Sequence, residues 1–343
     1  MVELNGKKIL VTFLMHLGDL TLTTPFIHAL RKAAPDAHIT MLVDEKLKDV
    51  VLFNPYLDEV VTIDKKGRDN SILSLWACSR HLSKLDFDVL INLHPNERCS
   101  FIDAMTSVKL RTGTTHKIFK WFWDVFTPLD RSMHAADMYL DVLQQLGVQN
   151  LSNNGLEIFP GEEHFLEAEL FWQEQNITDQ DKLIGFNIGS AVPTKRWPPE
   201  RFAEVADIFA AKGYKTVFFG GPMDEEMVAE ATGYMQTRPI IATGHFAIGG
   251  LAAAMRRFCL VITNDSGPMH VAISQKVPIV AMYGPSNPKL YGPYTKDAVI
   301  VTAQPPCQGC ADGMKHSCDD LQCMSRMTVE QVVACLLYTS PSP

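Results

Sequence analysis

Short apolar runs alternate with amphipathic stretches along most of this chain. Lys8 to Leu14, rich in Ile, Val and Phe, has the pattern of a buried strand. Helix signals follow from Pro25 to Ala34, then strands from His38 to Val43 and from Glu59 to Ile63. An amphipathic helix from Ser71 to Leu85 and a strand from Phe87 to Asn92 come next. A helix from Asp137 to Leu146 stops at Gly147, a residue suited to the left-handed position after a helix. Residues 148–180 lack strand character, and Glu162 to Gln175 reads as a polar connecting helix. The scheme then repeats. Strands are predicted from Leu183 to Ile188, Lys215 to Phe219, Cys259 to Thr263 and Val277 to Met282. Helices are predicted from Pro199 to Lys212, Asp224 to Met235 and Ile248 to Phe258. Such alternation implies a parallel, doubly wound sheet, here twice. The simplest architecture is two Rossmann-like halves facing a central cleft, residues 1–160 and 161–336. The last residues, Leu337 to Pro343, break the helical pattern before them and read as a tail foreign to the fold.

Composition narrows the function. A chain of 343 residues is too long for one ordinary core and suits two domains. A net charge of −8 is not that of a chain built to hold nucleic acid. No run approaches the ~18 apolar residues of a membrane span. The first residues lack the basic-then-apolar order of a signal peptide, so the expected compartment is the cytoplasm, where thiols stay reduced. Of the eight cysteines, Cys78, Cys99, Cys259 and Cys335 read as small apolar residues. Cys307, Cys310, Cys318 and Cys323 have short spacings that suggest zinc. The second pair is wider than the usual x2 and has no hairpin to frame it. Reduced cysteines capping a loop are therefore preferred to zinc.

The chemistry is expected at the strand ends. In open parallel sheets ligands sit outside the carboxyl ends of the strands. The strand ending at Thr263 opens into Asn264-Asp-Ser-Gly-Pro-Met-His270, a polar glycine turn leading into a helix. A helix N-terminus is a ready anion site, and Asp265 and His270 would flank whatever hangs from a phosphate held by Ser266 and Gly267. The first strand ends in His16-Leu-Gly18-Asp19, which lacks the glycine pattern of a dinucleotide fingerprint. Asp19 is either a helix N-cap or a catalytic group; capping by Thr24, ahead of Pro25, would free it for chemistry. After the strand at Leu183, Ser190 is followed by Lys195 and Arg196, which could neutralise a departing diphosphate or form a solvated basic pair. After Phe219, Gly220 and Gly221 permit close approach of a ligand, and Asp224 either meets ribose hydroxyls or caps the next helix. Asp86-Phe-Asp88 has the letters of a metal-binding pair but lies at the wrong end of its strand, and it reads as a turn. Lys109 to His134 is locally basic, with Trp121, Phe122 and Trp123 interleaved, which suggests an anionic, partly apolar partner.

These pieces together resemble the lipopolysaccharide heptosyltransferases of glycosyltransferase family nine, which use ADP-heptose and have the GT-B fold. The matching segments are His16-Leu-Gly-Asp19 with Thr23-Thr-Pro25, Lys195-Arg-Trp-Pro198, Gly220-Gly-Pro222, Asn264 to His270, and Tyr283-Gly-Pro-Ser286. They run in the same order over nearly the whole chain. The cysteine segment, ending Cys323-Met-Ser-Arg-Met-Thr-Val-Glu330, also looks like that of many members. The resemblance implies Asp19, beside Gly18, as catalytic base. It implies Ser190 and Lys195 as donor-phosphate contacts, beside the Arg196 that the charge reading adds. It implies Asp265, Ser266, Gly267 and His270 as the loop holding the diphosphate and heptose, and Asp224 or Glu225 as the ribose contact.

The implied reaction is inverting transfer of heptose from ADP-heptose to the inner core of lipopolysaccharide, with no required metal cofactor. The acceptor, a lipid A–core oligosaccharide, would be met by peripheral contact with the cytoplasmic face of the inner membrane. Two other readings are a nucleotide-sugar 2-epimerase of the same fold, which acts without an acceptor, and a binding protein that closes on a nucleotide sugar without turnover.

Overall fold

The repeated strand–helix pattern folds into two parallel sheets in this computed structural model, which describes residues 2–305, 307, 310 and 318–339. The chain divides into two compact units, one ending at Phe159 and the other beginning at Pro160. The strands of the first are β1 (Lys8–Thr12), β2 (His38–Asp44), β3 (Glu59–Ile63), β4 (Phe87–Asn92), β5 (Val108–Gly113) and β6 (Val125–Phe126). They lie in the order β3-β2-β1-β4-β5-β6, every neighbouring pair parallel. Its helices are α1 (Leu17–Thr21), α2 (Thr24–Ala33), α3 (Ile72–Ser83), α4 (Glu97–Met105) and α5 (Ala135–Gln145).

The second unit repeats this topology. Its strands are β7 (Leu183–Asn187), β8 (Lys215–Phe218), β9 (Ile240–Ile241), β10 (Phe258–Asn264), β11 (Ile279–Met282) and β12 (Ala298–Val301), in the order β12-β11-β10-β7-β8-β9. Its helices are α6 (Glu162–Glu174), α7 (Pro199–Ala211), α8 (Glu225–Tyr234), α9 (Ile248–Met255), α10 (Gly267–Ser274), α11 (Pro288–Tyr291), α12 (Gln322–Ser325) and α13 (Val329–Thr339). In each sheet the strand order reverses once, between β1 and β4 and between β7 and β10. Loops leaving the two strands at such a switch point turn to opposite faces and open a crevice between them.

Both cores are built from the strands that read as continuous apolar runs. Ile9, Leu10 and Val11 of β1 and Val261 and Ile262 of β10 are wholly buried. Gly185, at the centre of β7, has a packing role. A Cβ there would lie 2.7 Å from both the Phe219 and Phe258 rings, which stack at 5.5 Å. The missing side chain is what lets that aromatic pair cover the sheet.

Three features of the sequence reading are corrected. The Lys109 to His134 stretch, where no strand was expected, holds β5, a 3-10 helix at Lys117–Phe122 and β6. β5 is half-exposed and β6 has two residues, so neither gives an apolar run. Leu337, Tyr338 and Thr339 do not break the helix but continue α13, since none of them is a helix breaker; residues 340–343 lie outside the described residues. Cys259 is exposed rather than a small core residue. The side chain of Cys335 lies outside the described residues.

Candidate functional site

The switch point of the second sheet gathers most of the proposed donor-binding residues. β7 and β10 both end in asparagine, and these two amides hold the loops that follow. Asn264 accepts the Trp197 backbone N–H at 3.0 Å and donates to the Ile188 carbonyl at 2.8 Å. Asn187 accepts from the Ser266 hydroxyl at 2.6 Å and from the Thr263 hydroxyl at 3.2 Å. Trp197 is fully buried and its indole donates to the Met327 carbonyl at 3.1 Å, so the end of the basic loop is fixed in the core.

This anchoring positions Lys195. Its ammonium lies 2.7 Å from Asp265 Oδ2, with only 16% of the lysine and 8% of the aspartate side chain exposed. The buried Ser286 hydroxyl also donates to Asp265 Oδ2. Ser190 donates to the Asp265 carbonyl at 3.3 Å, and Arg196 Nε donates to the Ser190 carbonyl at 2.9 Å. A mostly buried ion pair is costly unless its geometry and hydrogen bonds are good. This one has a serine on the carboxylate, and its lysine sits where the β10 loop opens into α10.

Ser266 occupies the N-cap position of α10, Gly267 is the first helical residue and Pro268 follows. The Ser266 side chain makes no cap bond; its hydroxyl donates to Asn187. Pro268 has no N–H and the Met269 N–H donates to the Ser266 carbonyl at 3.2 Å, which leaves the Ser266–Gly267 turn as the part of this helix end to consider for an anion. His270 is buried one turn into the same helix.

The third loop joins the same edge. Asp224 accepts the Gly221 N–H at 2.9 Å and lies against the backbones of Gly189 and Gly220, where added Cβ atoms would come within 2.1 and 2.5 Å of its carboxylate. It stands at the N-cap position of α8 but makes no side-chain cap bond to that helix; its bond to the Gly221 N–H instead caps the 3-10 turn at Pro222–Asp224. Burial raises its pKa above the ordinary carboxylate value, the Gly221 N–H and the Arg196 charge opposing. Glu225 is separate: it is exposed at the start of α8, near Gly244.

In the first unit the same switch-point logic selects the ends of β1 and β4. Gly18 and Asp19 lie on α1, whose N-cap position is His16 rather than Asp19. Thr24 does not cap α2, contrary to the expectation. The helix begins at Thr24, and the hydroxyls of Thr23 and Thr24 donate back to the Leu20 and Thr21 carbonyls at 2.7 and 2.8 Å. Asp19 is half-buried in the first turn of α1.

His94, just past β4, is a residue the sequence reading missed. Its ring meets Phe13 edge-on at 6.0 Å, and burial pushes its pKa down to about 4, with the charges of Arg131 and His16 adding to the effect. The imidazole is therefore neutral near pH 7. The signal that could have found it is the asparagine ending β4, since Asn92, Asn187 and Asn264 are each the polar last residue of a strand at a switch point.

Among the described residues no group of three His, Cys, Asp or Glu side chains could hold a metal ion. Cys323 is buried, and burial raises its thiol pKa, with Cys307, Cys310 and Cys318 contributing. The Asp86-Phe-Asp88 pair lies at the amino end of β4, where Asp88 accepts the Lys8 N–H at 2.9 Å and the Lys109 ammonium at 2.7 Å.

Comparison with known proteins decides the family. Residues 75–318 match the model of glycosyltransferase family 9 (heptosyltransferase). The chain belongs to that family. A family 9 glycosyl transferase from Veillonella parvula DSM 2008, known by crystal structure, is 51% identical over 98% of each chain, with a TM-score of 0.92. The E. coli ADP-heptose lipopolysaccharide heptosyltransferase II shares the fold, with a TM-score of 0.81 at 22% identity over 97% of this chain and 98% of that one. Lipopolysaccharide heptosyltransferase 3 of Escherichia coli K12 is 24% identical over 82% of this chain and 84% of its own length. The family 9 chain described here is accordingly a glycosyltransferase with two six-stranded parallel sheets of the GT-B type.

Proposed function

We propose that this family 9 glycosyltransferase transfers heptose from ADP-heptose to the inner core of lipopolysaccharide, with inversion at the sugar carbon. The observation that carries the donor half is the Lys195–Asp265 pair at the start of α10, on the switch point of the second sheet. The names of the relatives, lipopolysaccharide heptosyltransferases, support the sugar and the acceptor.

In this reading the diphosphate takes part of the Lys195 ammonium from Asp265 and accepts amides from the Ser266–Gly267 turn. Asp265, held in place by the Ser286 hydroxyl, returns the lysine after ADP leaves. Ser190 and Arg196 border the phosphates, His270 borders the sugar, and Asp224 is the candidate for the ribose. Asp19 takes the proton from an acceptor hydroxyl as its oxygen bonds to the anomeric carbon and the bond from that carbon to the phosphate oxygen breaks. Charge accumulates on the departing ADP, where preorganised donors such as Lys195 are worth roughly 10²–10³ in rate each. These groups supply the charge stabilisation without a required metal. The acceptor is a lipid A–core oligosaccharide, met at the cytoplasmic face of the inner membrane. Among the described residues no helix is long and apolar enough to cross a membrane, so the contact proposed is peripheral.

The test is the product. Incubation with ADP-heptose and heptose-deficient lipopolysaccharide is expected to add one heptose mass to the acceptor, with the anomeric configuration inverted by NMR. A product with retained configuration would contradict the single displacement. Conversion of the nucleotide sugar without acceptor, or binding without any conversion, would favour the epimerase or the binding protein.

A further inference from the structure

The first unit exposes an apolar surface that its fold does not use. α3 turns Leu75, Ser79 and Leu82 into the core and leaves Ile72, Leu73 and Trp76 in solvent, with Leu73 78% exposed. The 3-10 helix at Lys117–Phe122 buries none of its residues. Its Ile118 is 59% and its Trp121 93% exposed, beside a half-exposed Phe122. The two segments are neighbours through α4, which packs against both. Phe101 of α4 helps cover the core under α3 and meets Phe119 edge-on at 6.2 Å. Six large apolar side chains on two elements that both pack on α4 are more than the scattered exposure a soluble surface normally carries.

The charge on these elements has one sign. The sequences ILSLWACSRHLS and KIFKWF contain no aspartate or glutamate, in a chain with 39 acidic residues and a net charge of −8. They carry Arg80, whose guanidinium lies 5.7 Å from the Trp76 ring centre, together with Lys117 and Lys120. Tryptophan, isoleucine and leucine beside lysine and arginine match an anionic lipid surface, and the exposed Glu97 of the intervening α4 lies 3.7 Å from His116. Apolar side chains enter the acyl boundary, indoles sit at the headgroups, and each cation near the surface adds to the attraction.

We infer that α3 and the 117–122 segment together form the membrane-docking surface of this enzyme, with the anionic leaflet of a bilayer as occupant. The inference rests on the reading that the acceptor is a membrane-held glycolipid, and it identifies the face on which the enzyme reaches it. A second copy of the chain is the competing occupant.

The experiment is sedimentation of the full chain with vesicles of phosphatidylcholine alone or mixed with phosphatidylglycerol. Three proteins are compared: wild type, Leu73→Ser/Trp121→Ser and Lys117→Ser/Lys120→Ser. All substituted residues are exposed, so the fold is expected to hold by circular dichroism. Wild type is expected to bind the mixed vesicles and to release as salt rises. Each double variant is expected to lose at least about tenfold in partitioning. With a delipidated, water-soluble core oligosaccharide as acceptor, the variants are expected to turn over like wild type, which separates docking from catalysis. Absence of wild-type binding to mixed vesicles overturns the inference, as does binding unaffected by the substitutions. Sedimentation velocity showing a wild-type dimer that Leu73→Ser/Trp121→Ser dissociates, with no vesicle binding, assigns the patch to a second copy and also overturns it. If vesicle binding behaves as expected while no acceptor is ever glycosylated, the docking surface stands and the functional reading fails.

Discussion

Lys195 is held by a carboxylate that has its own serine donor, and Trp197 two residues later is locked into the core, so the ammonium has little freedom. That is preorganisation at a site where charge is expected to develop. A different logic governs Asp103 on α4. It is fully buried, accepts the Thr12 hydroxyl at 2.8 Å, and burial pushes its pKa up to about 8. The folded protein therefore keeps a proton on this group where the unfolded chain, titrating near the ordinary carboxylate value, has lost it. Between those two values the folded state binds more protons, so stability falls as pH rises, up to about tenfold in the folding equilibrium per pH unit from this group. Asp103→Asn keeps a neutral side chain of the same shape. Denaturant titrations at pH 5 and pH 8 are expected to show wild type losing stability relative to Asp103→Asn as pH rises. Parallel behaviour of the two proteins would show that Asp103 is ionised when folded.

At the scale of elements, what matters is how three loops meet at the carboxyl ends of β7, β8 and β10. Gly189 and Gly220 leave room for the Asp224 carboxylate, and Gly221 donates to it. Gly189→Ala puts a methyl 2.1 Å from Asp224 Oδ1, and the carboxylate must move. If Asp224 meets the ribose, this variant is expected to bind ADP about tenfold more weakly by calorimetry, about 1.4 kcal/mol, with a melting temperature close to wild type. Unchanged ADP affinity would remove Asp224 from the donor site. The sequence made this edge partly readable. Asp265 to Gly267, Ser190 and Lys195 stand directly after strong apolar runs, and their contacts in the fold join them. Ser286 stands in a loop already marked after the run ending at Met282, and asparagines close three other runs, but no role could be read for them; a polar residue at such a place shows its purpose only when two loops are seen to share it. β5, β6, β9 and β12 were not legible either, because they are short or partly exposed and present no buried run.

For the whole molecule, two units of the same strand order each carry a proposed chemical group at their own switch point, Asp19 after β1 in one and Lys195 after β7 in the other. The repeated fold was legible because ten of the twelve strands have four or more residues and most of those are apolar runs. The division of labour was legible only through the family resemblance, since nothing in spacing distinguishes an aspartate that removes a proton from one that orders a helix turn. The central claim is that Asp19 acts on the acceptor while the Lys195 loop holds the donor. It is tested most directly by ADP release from ADP-heptose with heptose-deficient lipopolysaccharide, for wild type and Asp19→Ala, with donor affinity measured on both. The account predicts acceptor-dependent release that falls at least ~100-fold in the variant while ADP-heptose binding stays within about threefold of wild type. Release at near wild-type rate from Asp19→Ala, or an equal loss of donor binding, would contradict it.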